Sequence, residues 1–369
     1  MSDRSISFFS TSGEDLIKWQ NIIRKFSDEE MDIHFTPEYS RIYELTYGQK
    51  SFLAFFGDER DFIISVFMRS TINNLPFLMN HRELPSFFDI ESVYGYGGPL
   101  AKFTSTNTDT KKSLYSDYLK EFHNYCSENN IVDEYIRFHP LLQNHVQYGE
   151  YGGGDLFEVK PIVYLDLRKS NEKLWSEMCR GHRSSVNKAR RLGVKISVND
   201  PDKLNLEIFQ TLYNETMDRH EADEIWQLTP EYFNNCVNCL GKEHVKIINA
   251  EYEDRVIASY FIIHGYQTAY YHFGGSREEV FSLRANNLLL FEIALWAKSE
   301  GYRWFHLGGG IKPDDGVYRF KSGFSATTVP LFSAKTIHIP QTYEYLCQLR
   351  EDSSYRKKSN PQYFPAYKG

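Results

Sequence analysis

Between His306 and Phe324 the chain reads HLGGGIKPDDGVYRFKSGF: three glycines closing an apolar run, and a lysine, Lys321, well downstream of them. Glycine lacks a Cβ, so Gly308, Gly309 and Gly310 either let a ligand approach the backbone closely or make a tight turn with nothing bound. Two familiar phosphate loops are excluded. A P-loop needs Lys and then Ser or Thr after its last glycine, and a dinucleotide turn needs a third glycine three residues on. Ile311, Lys312 and Pro313 follow here instead, and YGYGGPL, from Tyr94 to Leu100, fails the same tests.

The second concentration of chemistry is LWSEMCRGHRSSVNKARRLGVKI. At about 100° per residue, Arg180, Arg183, Asn187, Arg190 and Arg191 share one stripe, while Trp175, Met178, Val186, Ala189 and Leu192 share the opposite one. One helix with a packed back and a cationic front is predicted. No acid interrupts Arg180 to Lys195. Guanidinium forks pair phosphate oxygens bidentately, which makes Arg183 and Arg190 candidate phosphate ligands. The competing reading is a solvated face whose charges pair with acids elsewhere, although no i,i+4 acid stands inside the run to supply such a pair. Cys236 and Cys239 form one C-x-x-C near His244, but zinc needs four ligands and no second pair appears, so no metal is expected. His220 and Glu221 belong to a substrate-facing loop or simply to a helix end.

These groups need a scaffold. A chain of 369 residues with 41% hydrophobic and 16% aromatic residues can build two packed cores. SFLAFFGDERDFIISVFM is a strand, a charged turn and a strand, and HVKIINAEYEDRVIASYFII, from His244 to Ile263, repeats the pattern. Further short strands, a helix and a strand follow each hairpin: LYSDYLKEFHNYCSENN then EYIRFHPL in the first half, NNLLLFEIALWAKSEG then YRWFHLGGG in the second, with Gly301 as helix stop. Two copies of one mixed unit are predicted, joined near YGGGDLFEVKP. The net charge of -7 argues against a surface made for DNA, so a phosphate partner must meet a local basic patch. The N-terminus lacks a basic segment followed by an apolar one, no apolar run has membrane-span length, and five scattered cysteines give no disulfide framework. A cytoplasmic protein is expected.

VYGYGGPL, EYIRFHPLL, the basic segment ending KARRLGV, YNETMDRHEAD, and HLGGG followed by an Asp and YRFKSGF together resemble the Fem-type aminoacyltransferases and their relatives in the GNAT acyltransferase superfamily. The resemblance runs from about Ser51 to Phe332. It implies an α+β fold of two tandem GNAT-like domains, each a mixed β-sheet flanked by helices. The first spans 1–155, with the tail 333–369 packing back on it, and the second, the acyltransferase domain, spans 156–332. It implies N-acylation: an aminoacyl or acyl group passes from an activated ester, aminoacyl-tRNA or acyl-coenzyme A, to an amine on a phosphate-bearing cell-envelope precursor of peptidoglycan or surface polysaccharide. No tightly bound cofactor is implied. tRNA is a partner if the donor is Fem-like, and a lipid-linked acceptor would bring peripheral membrane contact.

The family's Phe-Lys pair lands on Phe320 and Lys321, where the lysine is expected to stabilise the oxyanion of a tetrahedral intermediate. Arg219, in TMDRHEAD, matches an arginine that pairs with acceptor phosphate. Before helix NNLLLF stands SREEVFSLRA, which departs from the glycine-containing coenzyme A loop of GNAT enzymes. The chain also lacks the long helical arm that some Fem enzymes insert. Chemistry agrees with the resemblance: amine attack on an ester puts negative charge on the carbonyl oxygen, and a fixed cation or backbone N–H there lowers the barrier. Lys321 and the amides of Gly308 to Gly310 can supply both; His306, Asp314, Asp315 or water can take the proton. Other readings are a coenzyme A-dependent N-acetyltransferase acting on an amino sugar, a non-catalytic RNA or phosphate-ligand binder, and a scaffold in envelope assembly.

Overall fold

The computed structural model describes residues 5–221, 223–310, 315–353 and 363–369. Short 3-10 turns apart, the elements run β1 (Ser7–Ser10), α1 (Gly13–Ile23), α2 (Pro37–Tyr47), β2 (Lys50–Gly57), β3 (Phe62–Thr71), β4 (Phe88–Glu91), β5 (Leu100–Lys102), α3 (Thr108–Glu128), β6 (Ile131–Arg137) and α4 (His145–Glu150). They continue with β7 (Leu156–Asp166), α5 (Asn171–Glu177), α6 (Arg180–Arg191), β8 (Lys195–Asn199), α7 (Lys203–Arg219), α8 (Pro230–Leu240), β9 (Val245–Tyr252), β10 (Arg255–Gly265) and β11 (Thr268–Ser276). The last are α9 (Ala285–Ser299), β12 (Trp304–Gly308), α10 (Gly316–Ser322), β13 (Thr328–Ile337) and α11 (Pro340–Asp352). The fold is mixed α+β. One compact unit comprises Met1–Phe26, His34–Val159 and Leu331–Gly369; the other comprises Ser27–Ile33 and Lys160–Pro330. The segment Ser27–Ile33 belongs with the second because Tyr270 on β11 donates a hydrogen bond to Asp32 at 2.6 Å.

Within the first unit the strand order is β1-β2-β3-β4-β6-β13, with β5 against β3. Within the second it is β7-β12-β11-β10-β9-β8. Each unit has an antiparallel run and one parallel pair, β4 with β6 and β11 with β12. A parallel partner cannot be reached by a tight turn, so a crossover helix must precede it; α3 and α9 serve. The predicted hairpins are β2–β3 and β9–β10. In the second, Glu253 and Asp254 both take positive φ, 48° and 59°, the backbone of a two-residue hairpin turn.

The second unit's core forms around α9. Leu288, Leu289, Leu290, Phe291, Ile293, Ala294 and Ala297 are all buried, because α9 packs on α6 as well as on β9, β10 and β12. Gly301, at φ 89°, stops it. The first unit's core gathers on α3, where Asn107 caps the N-terminus by accepting from Thr110 N at 3.0 Å and Leu114, Tyr115, Tyr118, Phe122 and Cys126 are buried. Among the described residues, no helix is long and apolar enough to cross a membrane.

A buried acid pair marks the first unit. The Tyr367 hydroxyl lies 2.6 Å from Asp133 and 3.3 Å from Asp89, and Lys368 Nζ lies 2.6 Å from Asp89. Burial above all, against the opposing Tyr367 hydrogen bond, pushes the Asp133 carboxyl up to about 7. A raised carboxyl means that the folded chain keeps a proton the unfolded chain has released. Stability from this group is therefore complete below the ordinary carboxylate range and lost as pH rises through about 7. Asp133→Asn should flatten that component, giving a smaller difference in urea midpoint between about pH 4.5 and about pH 7.5 than in the parent. Equal differences would exclude Asp133 as its source.

Candidate active site

The site is built where β12 ends. β12 pairs antiparallel with β7, and the register shifts by one residue between His306 and Gly308, a bulge that re-aims the strand end. Gly308 then takes φ 76°. At Gly309 a Cβ would sit 2.9 Å from the Pro161 carbonyl oxygen and 3.1 Å from Lys160 Cδ, so only glycine fits against β7. Of the two readings for these glycines, the tight approach is made at least partly by the protein's own chain.

Helix α10 brings the cation. Asp315 caps it, accepting from Tyr318 N at 2.7 Å. Lys321, one turn on, is 9% exposed, and its Nζ donates to Gly309 O at 3.0 Å and stands 5.1 Å from the Tyr271 ring centroid. Lys160 Nζ donates to the next carbonyl, Gly310 O, at 2.7 Å. Burial first, and the positive charge of Lys160 second, hold Lys321 down to about 7, with Asp315 opposing. Burial likewise pushes the Tyr271 phenol up to about 12, so it is a neutral donor.

Several candidates lie elsewhere. Phe320 follows a different direction around α10 from Lys321, since successive helical residues diverge by about 100°. Its ring packs 5.3 Å from both His182 and Phe324, which anchors α10 against α6. His306 is buried with its ring 5.0 Å from Tyr270. Tyr270 and Tyr271 point to opposite faces of β11, so His306 sits on the face away from Lys321. Asp315 is committed to its cap, and Asp314 lies outside the described residues.

Arg219 closes α7. It donates to Ser276 O at 3.2 Å and to Thr216 Oγ1 at 3.3 Å and lies over the Phe281 ring at 5.0 Å. Asn286, in the first turn of α9, donates to Ser276 Oγ at 3.1 Å. The buried Nε of Arg219 and Oδ1 of Asn286 have no hydrogen-bond partner among the described residues, so two polar atoms at the end of β11 await one. Tyr271 and Ser276 lie on that same strand, roughly 17 Å apart. Lys321 and Arg219 thus address two ends of one strand.

The basic segment is not the single helix predicted. α5 ends at Glu177 and α6 starts at Arg180, with Met178 and Cys179 extended between them at ψ 143° and 153°. Cys179 N donates to Gly323 O at 2.8 Å, which diverts the chain from the helical path. Leu192, expected on the packed side, is 41% exposed. Arg183 donates to the Ser176 carbonyl at 3.0 Å and to that of Met178, capping α5. Arg190 pairs with Glu292 at 2.7 Å and lies over Phe291 and Trp175. Both arginines have protein partners, for Arg190 an acid supplied by α9; Arg183 is half-buried, whereas Arg180, Arg190 and Arg191 are exposed. Lys160 and Tyr271 were missed by sequence reasoning. The only sequence signal was the Lys-Pro pair opening strand IVYLDL, a cation without a motif.

Residues 176–322 match the family model of the acetyltransferase (GNAT) domain. Over that stretch the chain is similar to a GNAT domain. The matched stretch contains α6, the Arg219 end of α7, β9 to β12 and Lys321. The whole chain shares its fold with solved structures. FemX matches with a TM-score of 0.63 at 12% identity, over 89% of this chain and 97% of that one. A conserved protein of unknown function from Bacteroides thetaiotaomicron matches with a TM-score of 0.56 at 10% identity, over 87% and 97%. The C-terminal domain of a putative lysylphosphatidylglycerol synthetase from Agrobacterium fabrum matches with a TM-score of 0.52 at 13% identity, over 87% and 91%. No curated protein matches the chain. These likenesses show that the chain has their mixed α+β fold.

Proposed function

We propose that the protein is an N-acyltransferase that moves an aminoacyl or acyl group from an activated ester to an amine on a phosphate-bearing cell-envelope precursor. The observation that carries this reading is Lys321, a buried amine fixed on Gly309 O at the end of β12. The amine lone pair attacks the ester carbonyl, the C–N bond forms, and the carbonyl π pair moves to oxygen. Collapse re-forms the carbonyl, breaks the bond to the leaving oxygen or sulfur, and passes the amine's proton to the leaving group. Lys321 as ammonium stabilises the negative oxygen between these steps. The Arg219 end of β11 suits the acceptor's phosphate, because the guanidinium carries a positive charge and a buried Nε–H without a partner among the described residues. The reaction belongs in the cytoplasm, where both donor classes are made, and a lipid-linked acceptor would draw the enzyme to the membrane surface.

An aminoacyl ester, with tRNA as its carrier, is our preferred donor. A GNAT-bound coenzyme A pyrophosphate rests on backbone N–H groups at the start of the helix that α9 represents, where glycines permit the approach. Here Phe281–Leu283 form a 3-10 turn, Arg284 occupies the N-cap at φ 62°, and residues 277–286 contain no glycine. Calorimetric titration with acetyl-coenzyme A should give a dissociation constant weaker than about 100 µM. A value in the low micromolar range, about 8 kcal/mol of binding, would replace the aminoacyl donor by coenzyme A. Mass spectrometry of ligands retained on the purified protein tests the reading as a whole, since neither donor class nor nucleotide-linked acceptor being retained or turned over would overturn it.

A further inference from the structure

Two lysines from distant parts of the chain converge on consecutive peptide groups. The antiparallel register sets Val163 opposite Gly308, which carries Lys160 alongside the glycines that follow. Lys160 Nζ donates to Gly310 O at 2.7 Å and Lys321 Nζ to Gly309 O at 3.0 Å. The alkyl stem of Lys160 also lines Gly309, its Cδ and Cε 3.1 and 3.3 Å from where a Cβ would be. Two ammonium groups on neighbouring carbonyls repel, and the buried one is the less able to keep its charge.

We infer that Lys160 is a positioning residue of the transfer site, holding the glycine segment and driving Lys321 toward the neutral amine that accepts the acceptor's proton. This rests on the reading of Lys321 as the group at the acyl-transfer step. Among the described residues, the charged and titratable groups around Lys321 are Lys160 from β7, Asp315 from the cap of α10 and Tyr271 from β11, while His182 from α6 packs on Phe320 and Phe324. Their combined effect, with Lys321 held down to about 7, agrees with a group that exchanges a proton at neutral pH.

The step balances. The acceptor arrives as an ammonium ion and gives one proton to neutral Lys321. Its freed lone pair then forms the C–N bond, and the carbonyl π pair becomes an oxyanion beside the Lys321 ammonium that has just formed. Collapse expels the leaving oxygen, which takes the second proton from the new amide nitrogen, and Lys321 returns its proton to solvent. One lysine serves in turn as proton acceptor and as oxyanion partner, a sequence open only to an amine that burial and a neighbouring cation have made easy to deprotonate.

The first measurement needs no substrate. The full chain with 13C at lysine Cε is titrated by NMR, and the Lys321 resonance is assigned by its loss in Lys321→Ala. In the parent protein the Lys321 midpoint should lie at about 7, well below the ordinary lysine range. Lys160→Gln keeps a donor for Gly310 O and removes the charge; the Lys321 midpoint should rise by about one pH unit, and in Lys160→Arg it should stay low. A Lys321 midpoint in the ordinary lysine range in the parent overturns the inference even if no variant folds, and so does an unmoved midpoint in Lys160→Gln. If the midpoint does not move while Lys321→Ala is inactive, only the role of Lys160 falls. If it moves while Lys321→Ala transfers acyl groups normally, the reading of the site falls with it.

Discussion

Lys321→Ala is expected to lower acyl transfer by about 10²–10³-fold with the fold intact, the size of effect seen when one preorganised oxyanion donor is removed. The fold should survive because the lysine is a buried charge held near another cation, so its removal relieves a cost of burial while opening a small space. Lys321→Arg should not rescue transfer. A planar guanidinium cannot replace a compact amine seated on one carbonyl between Gly309 and the Tyr271 ring, and it does not exchange its proton near neutral pH. Single-turnover rates with the established donor, beside thermal melts of each variant, give the measurement. Transfer by Lys321→Ala within about threefold of the parent would remove Lys321 from the chemistry.

Gly275→Ala should destabilise the second unit by about 3 kcal/mol or more. A Cβ on Gly275 would lie 2.3 Å from the Leu212 carbonyl carbon and 2.4 Å from both Leu212 O and Tyr213 N. These are backbone atoms of α7, so no side-chain rotation relieves the overlap. The helix must move, and with it the buried Leu212 and Tyr213 and, a turn or two further on, Thr216 and Arg219. Gly181→Ala is the matched control: nothing lies within 4 Å of its Cβ position, near the start of α6, and it should be neutral or stabilising by about 0.5 kcal/mol. Urea denaturation followed by circular dichroism compares the two. Equal midpoints would show that α7 does not press on β11 as closely as the structure has it.

Much of the architecture was legible because it is written in local patterns. The β2–β3 and β9–β10 hairpins follow from two strand-like runs around short charged turns, and the crossover elements α3 and α9 follow from apolar runs of helical length ending near Asn129 and Gly301. The repetition of these elements, and a lysine after a glycine-ended strand, needed no coordinates. The basic segment shows where periodicity misleads. A 100° projection treats Trp175 to Leu192 as one helix, yet a single backbone bond from Cys179 to Gly323, far along the chain, splits it. The same projection cannot say what stands opposite a stripe. Arg190 meets Glu292 because α6 packs on α9, and nothing within the arginine run encodes that acid.

By itself the sequence determined the types of the elements, their order in two similar halves, and the residue type that could meet an oxyanion, since these depend on periodicity, on turn chemistry and on the presence of Lys321 after the glycines. Tertiary structure alone decided which groups share the site. Placing β7 next to β12 sets Lys160 beside Gly309 and Gly310, and placing α10 across that strand end buries Lys321 on the neighbouring carbonyl. Strand pairing likewise puts His306 on the other face from Tyr271, and helix packing turns Phe320 into an anchor. The physical reason is that a lysine's charge state is set by burial and by the charges within a few ångströms of it, and for Lys321 these come from strands distant in the sequence, which only the folded chain brings together.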